Sequence, residues 1–336
     1  MRLLLMVRLA IVWLTLASCT PNSGGRVAEG RPVAVADARV ADGGVDAIAS
    51  CVDDGKPFAT LRDRIAFLAS ADLDGRAPGT AGDTSAREHL VARMRCLGLV
   101  GGGKAGSYVQ PFDADGAATA NVIGYIKGTS ATVGSEIIVV GAHHDHLGAG
   151  FLGANDNASG VAGVLAIAQA IRQGGAPQRT IAFALFGGEE QGLLGSQHYA
   201  ANPPAALPMD KVVQYINVDM IGSHASQKVV AAFGAFRGMP AHKILAELDD
   251  KYPAIKVAIG GHSVRGDQVP FCTRKIPYVF FWTPDDRCYH KKCDTVAALD
   301  LPRMADIAAL VGDLVRQLAD TKTDLAAVRK KSGCGR

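Results

Sequence analysis

Excess charge of either sign is missing from this 336-residue chain: 35 Lys and Arg stand against 32 Asp and Glu, a net charge of +3. Such a balance gives no electrostatic reason to bind nucleic acid, and no basic stripe interleaved with aromatics occurs, so nucleic acid is not an expected partner. Long apolar runs are missing too. The segment Leu9 to Ala17 is apolar but too short to span a bilayer well. No Cys-x-x-Cys pair occurs, which excludes a site built on that motif. There is no internal repeat.

What remains is ordinary globular material, 48% hydrophobic and 20% charged, enough for one large domain or two small ones. Many of the 39 glycines sit in short clusters between apolar runs, as loops at strand ends do in an α/β protein.

The first residues form a targeting segment. Arg2 and Arg8 give it a positive start, the short apolar core follows, and Leu16-Ala17-Ser18-Cys19 closes it. A branched apolar residue, two small residues and Cys resemble a bacterial lipobox; the other reading is an ordinary cleaved signal with a chance Cys. On the lipobox reading residues 1–19 are the leader, and Cys19 carries the lipid that anchors an exported protein to a membrane. Thr20 brings no acidic retention signal, so the expected place is the outer membrane or cell envelope, on its periplasmic or extracellular face. Residues 20–49 lack any sustained period and read as a flexible tether. The folded domain is expected over 50–325, and 326–336, with Arg329-Lys330-Lys331, as a basic solvated tail. Export permits disulfides. Cys288 and Cys293 are close enough to close a small loop, Cys51 with Cys96 is a weaker pairing, and Cys272 and Cys334 have no readable partner.

Leu61 to Ser70 and Thr84 to Leu97 read as helices. From Asn121 strands and helices alternate. Glu136 to Ala142, Thr180 to Phe186, Gln214 to Val218 and Pro277 to Trp282 are apolar runs of strand length, and Ser159 to Arg172 is a helix apolar nearly all round. This alternation predicts a doubly wound, mainly parallel α/β sheet with helices on both faces. In such sheets ligands sit outside the carboxyl ends of the strands. Each strand here runs into His, Asp or Glu: His143-His144-Asp145-His146 after the first, Glu189-Glu190 after the second, Asp219 after the third, and Asp285-Asp286 through to His290 after the fourth. Asn155-Asp156-Asn157 lies between the first strand and the buried helix. Four such clusters on one sheet edge call for a cation, and His with carboxylate suits zinc or a similar divalent ion. Two His and several carboxylates can hold two ions with one carboxylate bridging, leaving a spare carboxylate as general base.

Gly141-Ala-His-His-Asp-His-Leu-Gly148, Gly153-Ala-Asn-Asp-Asn-Ala-Ser-Gly160, Phe186-Gly-Gly-Glu-Glu-Gln-Gly-Leu-Leu-Gly-Ser196, Tyr215-Ile-Asn-Val-Asp-Met-Ile-Gly222 and Cys288-Tyr-His-Lys-Lys-Cys-Asp-Thr295 resemble, in order, the five metal motifs of the M28 peptidases. Leu73-Asp-Gly-Arg-Ala-Pro-Gly-Thr80 resembles the segment that opens that domain, and the likeness runs over about residues 55 to 320. The secreted two-zinc leucyl-type aminopeptidases are the members it is most similar to. The resemblance implies the zinc-dependent exopeptidase fold and two Zn2+ per chain. One ion would be held by His143 and Asp219, the other by Glu190 and His290, with Asp156 bridging beside a strained or cis peptide to Asn157. It implies Glu189 as the general base, Asp145 as the orienter behind His143, and Tyr289 as a donor to the developing oxyanion. The implied substrate is a peptide with a free N-terminus. A glutaminyl cyclase, a carboxypeptidase and a non-catalytic binding protein are the alternatives on this fold.

The sequence departs from the family at Gln268, where a His is frequent, which leaves the detail on that side of the pocket open. Arg265 is either a substrate contact or a solvated side chain. His144 and His146 are not expected as ligands, since neighbours at a strand end point in opposite directions. His89, His198, His224, His242 and His262 are expected at the surface or in packing. Asp285, Asp286 and Asp294 are expected as loop carboxylates, Asp294 bracing the His290 loop.

Overall fold

The computed structural model describes residues 60–224, 228–284 and 287–331. The expected leader with Cys19, the expected tether, Cys51, Cys334 and the Asp285-Asp286 pair lie outside them.

Helix α1 (Leu61–Leu68) starts where Thr60 and Asp63 cap each other's backbone N–H groups, a reciprocal capping box. Helix α2 (Ala81–Cys96) is capped by the Thr80 hydroxyl, which accepts from Asp83 N at 3.1 Å. Strands β1 (Val100–Gly101), β2 (Val109–Ala114) and β3 (Ala117–Ile126) follow. Strand β4 (Ile137–His143), helix α3 (Gly160–Gln173), strand β5 (Thr180–Phe186), helix α4 (Leu194–Ala201) and strand β6 (Val212–Val218) form the doubly wound part. Strand β7 (Val229–Phe233), helix α5 (Pro240–Leu248), strand β8 (Lys256–Ile259), the short α6 (Val269–Cys272) and strand β9 (Tyr278–Trp282) complete the sheet. Helices α7 (Leu301–Asp320) and α8 (Leu325–Lys331) end the described chain.

The nine strands form one sheet in the order β1-β3-β5-β4-β6-β9-β7-β8, with β2 pairing β3. The central four, β5-β4-β6-β9, are parallel. Every residue of β4, β5 and β6 is buried, because helices cover both faces and leave no wet side for alternation. Outside this centre β3 runs antiparallel to β5, and β7 antiparallel to β9. The doubly wound α/β sheet that the sequence predicts is thus present with its parallel centre, and it is mixed because the flanking strands, whose direction short apolar runs do not mark, are antiparallel.

From β4 the chain winds to β5 on one side and then to β6 on the other. That reversal opens a crevice at the carboxyl end of β4, where such sheets bind ligands. Helix α3 packs beneath it, buried along most of its length, against α7, whose Ile307, Val311, Leu314 and Leu318 are fully covered.

The expected solvated tail is in part a docked helix. Arg329 of α8 donates from Nη1 to the carbonyls of Met209, Asp210 and Val212 at 3.0, 2.7 and 2.8 Å. A basic run reads the same in sequence whether its cations meet water or the open carbonyls at a strand start. Cys288 and Cys293 are bridged to each other, and Cys96 and Cys272 each take part in a disulfide as well. His89 and His198 stack on Phe67 and Phe112 and His262 packs at a tilt on Phe236, so they pack, as their sequence context suggests.

Candidate metal centre

His143 is the last residue of β4, and its side chain is buried. Nδ1 lies 3.2 Å from the main-chain oxygen of Asp145 and 3.7 Å from its carboxylate. The proton therefore sits on Nδ1, and Nε2 faces the crevice. There it meets Asp156 Oδ1 at 3.3 Å and Asp219 Oδ1 at 3.4 Å. The expected orienter thus acts on His143 mainly through its carbonyl. The Asp145 carboxylate serves a second purpose, since its Oδ1 and Oδ2 accept from the peptide N–H groups of Glu189 and Glu190 at 3.1 and 3.3 Å. One residue so ties the loop after β4 to the loop after β5. Burial alone would raise the Asp145 carboxyl; His143 and the Glu189 N–H hold it below its ordinary value.

Asp156 lies in the irregular segment Ala154–Ser159, and the peptide bond between Asp156 and Asn157 is cis, as the resemblance implies. Its two oxygens face opposite ways, Oδ1 to His143 and Oδ2 to His290 Nε2 at 3.1 Å. His290 Nε2 is also 3.1 Å from Glu190 Oε2. Asp156 is the shared member of the two donor groups in the crevice, one with His143 and Asp219, the other with Glu190 and the ring nitrogens of His146 and His290.

These contacts fit divalent ions. Asp156 Oδ2, Asp219 Oδ1 and His290 Nε2 are buried and have no hydrogen-bond partner among the described residues. Buried polar atoms without partners are costly, so their convergence on common points needs a ligand. Two donors on one tetrahedral zinc, at about 2.0–2.2 Å each, lie roughly 3.3–3.6 Å apart; the separations of 3.1 to 3.4 Å found here are close to that. Burial pushes the Glu189 carboxyl up to about 9, with Asp267, Asp219 and Asp145 adding and His143 opposing. Asp267, fully buried nearby, is pushed up to about 7, also by burial first. A crevice with this many carboxylates is short of positive charge.

The supporting frame contains residues to which the sequence assigns no part or a different one. Asp294 braces Asp156 rather than His290: its Oδ1 accepts from Asn155 N at 2.7 Å and its Oδ2 from Asp156 N at 2.9 Å. Asn157 Oδ1 accepts from Gly160 N and Met220 N, and Asn155 Oδ1 from Gly222 N, which locks the segment to the loop after β6. Arg76 is wholly buried, with φ at 47°, and donates to four main-chain oxygens: Leu68, His144, Leu152 and Gly153. Burial draws its pKa down to about 10, and Asp145, Asp156, Asp294 and Glu190 support the charge. The one sequence signal for Arg76 is its place in the Leu73–Thr80 segment.

His144 turns away from the crevice, its Nε2 3.0 Å from Ala120 O. His146 turns toward it, Nδ1 2.7 Å from Glu190 Oε1, since the chain has left the strand by then and its period no longer applies. Gln268 accepts from Asn217 at 3.0 Å and donates to Arg265 O, so it pins the 263–268 loop to β6 and has no free group for the pocket. The Arg265 side chain is exposed. Tyr289 stacks on His290 with ring centroids 3.8 Å apart, is 46% exposed at the crevice mouth, and burial pushes its hydroxyl up to about 12.

Residues 121–315 match Peptidase family M28. Leupeptin-inactivating enzyme 1 of Streptomyces exfoliatus is 27% identical over 271 residues, 73% of this chain and 58% of that protein. Leucine aminopeptidase 2 of Trichophyton rubrum is 31% identical over 212 residues, 54% of this chain and 41% of that protein. The chain thus spans less than two thirds of either relative. Among solved structures, a zinc aminopeptidase from Bacillus subtilis superposes with a TM-score of 0.66 at 16% identity, over 81% of this chain and 97% of that one. At that identity the likeness is one of fold.

Proposed function

Because the chain belongs to peptidase family M28, we propose that it is a metal-dependent aminopeptidase that removes N-terminal residues from peptides through a two-zinc site. The observation that carries this reading is the pair of donor groups sharing Asp156 beside a partly buried carboxylate, Glu189, that belongs to neither. His143, Asp156 and Asp219 would hold one ion, and Asp156, Glu190 and His290 the other. When bound, the ions polarise the scissile carbonyl and lower the pKa of water.

The chain's own groups do the rest. Glu189 takes a proton from the attacking water as its oxygen bonds to the carbonyl carbon. The same proton passes to the leaving amine nitrogen as the C–N bond breaks. Tyr289, whose raised pKa keeps its hydroxyl protonated at neutral pH, donates a hydrogen bond to the oxygen that gains charge. Asp145 holds the Glu189 peptide in place throughout. The substrate's α-ammonium, carried by the same residue as the scissile carbonyl, would lie within reach of the crevice carboxylates, where opposite charge is stabilising.

The test pairs elemental analysis with two peptides that differ only in N-acetylation. Protein purified without chelator should carry close to two zinc ions, shorten the free peptide residue by residue and leave the acetylated one intact. A metal content near one would favour the cyclase reading. Equal cleavage of both peptides, or internal fragments from either, would rule out an aminopeptidase.

A further inference from the structure

His146 is the one member of the His143–His146 run facing the crevice that the two-ion reading leaves unused, and this inference rests on that reading. Its side chain is fully buried. One face packs on Gly153, where a Cβ would come within 2.5 Å of the His146 ring and where φ is 61°. The ring meets that of His290 edge-on, centroids 5.9 Å apart. Gly153 is thus a glycine for two reasons, its left-handed backbone and the imidazole against it.

Two roles suit a buried imidazole at this point: a further ligand of the second ion, or a hydrogen-bond donor to one of its ligands. The distances separate them. Donors sharing a tetrahedral ion stand roughly 3.3–3.6 Å apart, and His290 Nε2, at 3.1 Å from both Asp156 Oδ2 and Glu190 Oε2, is close to that. His146 Nδ1 is 2.7 Å from Glu190 Oε1, the length of a charge-assisted N–H···O bond, roughly 2.7–2.9 Å. It is 3.9 Å from Asp156 Oδ2, beyond any bond. The two oxygens of Glu190 are therefore divided, Oε1 to His146 and Oε2 to the His290 side.

We propose that His146 is a positioning residue whose Nδ1–H holds Glu190 Oε1, so that this carboxylate offers only Oε2 to the second ion. The terminal torsion of a Glu side chain is broad and nearly two-fold. Without a donor on Oε1 the carboxylate can turn, and both oxygens become available to the ion. Groups that orient ligands in this way typically contribute 10- to 100-fold in metal affinity. The effect is specific to the second ion, because His146 touches neither His143 nor Asp219.

The experiment titrates metal-free wild type, His146→Phe and His146→Asn with Co2+, followed by calorimetry and by the visible absorption of the bound ion. Phe keeps a ring and removes the donor; the Asn amide reaches near the place of Nδ1 and restores it. Thermal unfolding of each metal-free protein reports whether the fold is kept. Wild type should bind two ions. His146→Phe should keep the affinity of the first and lose about 10- to 100-fold at the second. His146→Asn should recover most of that loss, which a merely space-filling histidine would not predict. Wild type with two ions and an unchanged second affinity in His146→Phe overturns this proposal alone. So does an Asn variant as weak as Phe, or a loss shared equally by both sites. Loss of a nitrogen ligand from the cobalt spectrum in both variants would make His146 a ligand instead. Wild type binding fewer than two ions overturns the two-ion reading and this inference with it.

Discussion

Replacing Arg76 by Met tests how the crevice is held together. The guanidinium donates four hydrogen bonds, from Nε to His144 O at 2.6 Å, from Nη1 to Leu68 O and Leu152 O at 2.7 and 2.6 Å, and from Nη2 to Gly153 O at 2.9 Å. They join the segment after α1 to the residue following His143 and to the two residues that precede the Asp156 segment. A hydrogen bond to a charged group contributes about 1.5–3 kcal/mol, so four would sum to roughly 6–12 kcal/mol. Methionine also removes the cost of burying a cation, and some of the freed carbonyls can take water. The expected net loss is about 3–5 kcal/mol, the usual result of breaking a buried charged contact. For a domain of this size that is a drop in Tm on the order of 10 °C. Arg76→Lys keeps the charge but puts three donors on one atom, which cannot reach four carbonyls in a fork; it should lose about half as much. The assay is urea and thermal unfolding of chelator-treated protein, so that metal binding to the native state adds nothing. A Met variant within about 1 kcal/mol of wild type, the range of an ordinary substitution, would refute the clamp. A Lys variant as stable as wild type would show that charge alone matters and the fork does not.

Glu189→Gln keeps shape and removes the proton acceptor; it should bind two ions and lose about 10² to 10⁴ in kcat, and near-normal turnover in a stopped assay would sink the assignment. The Cys288–Cys293 bridge closes the loop that presents Tyr289 and His290. Reduction, or Cys288→Ser with Cys293→Ser, should weaken zinc at the His290 side and activity together, read by chelator competition. Unchanged metal affinity would make the bridge irrelevant to the site.

The motifs were legible because each chemistry-bearing residue sits at or just past the end of an apolar run. His143 closes β4, and the Glu189-Glu190 pair and Asp219 follow β5 and β6. A run of buried residues dictates a strand, strand-helix-strand alternation makes successive strands parallel, and parallel strands deliver their carboxyl ends to a common edge. From that logic alone the sequence determines the α/β class, the crevice and the residues to expect in it. It also brings the Cys288–Cys293 loop within closing distance, since only four residues separate them.

Tertiary structure alone decided three further things. Strand direction outside the centre is one, because an apolar run buries equally well either way round, so the antiparallel pairings of β3 with β5 and β7 with β9 left no mark. The frame behind the site is another. Asp294 reaches Asp156 from 138 residues away and Arg76 reaches Gly153 from 77, and no local period encodes such contacts. The last is the direction of side chains beyond a strand end. His144 and His146 share a residue type and a neighbourhood, yet one bonds Ala120 and the other Glu190. Once the chain leaves the pleat, backbone dihedrals replace the two-residue period, and only the folded chain says which way each ring turns.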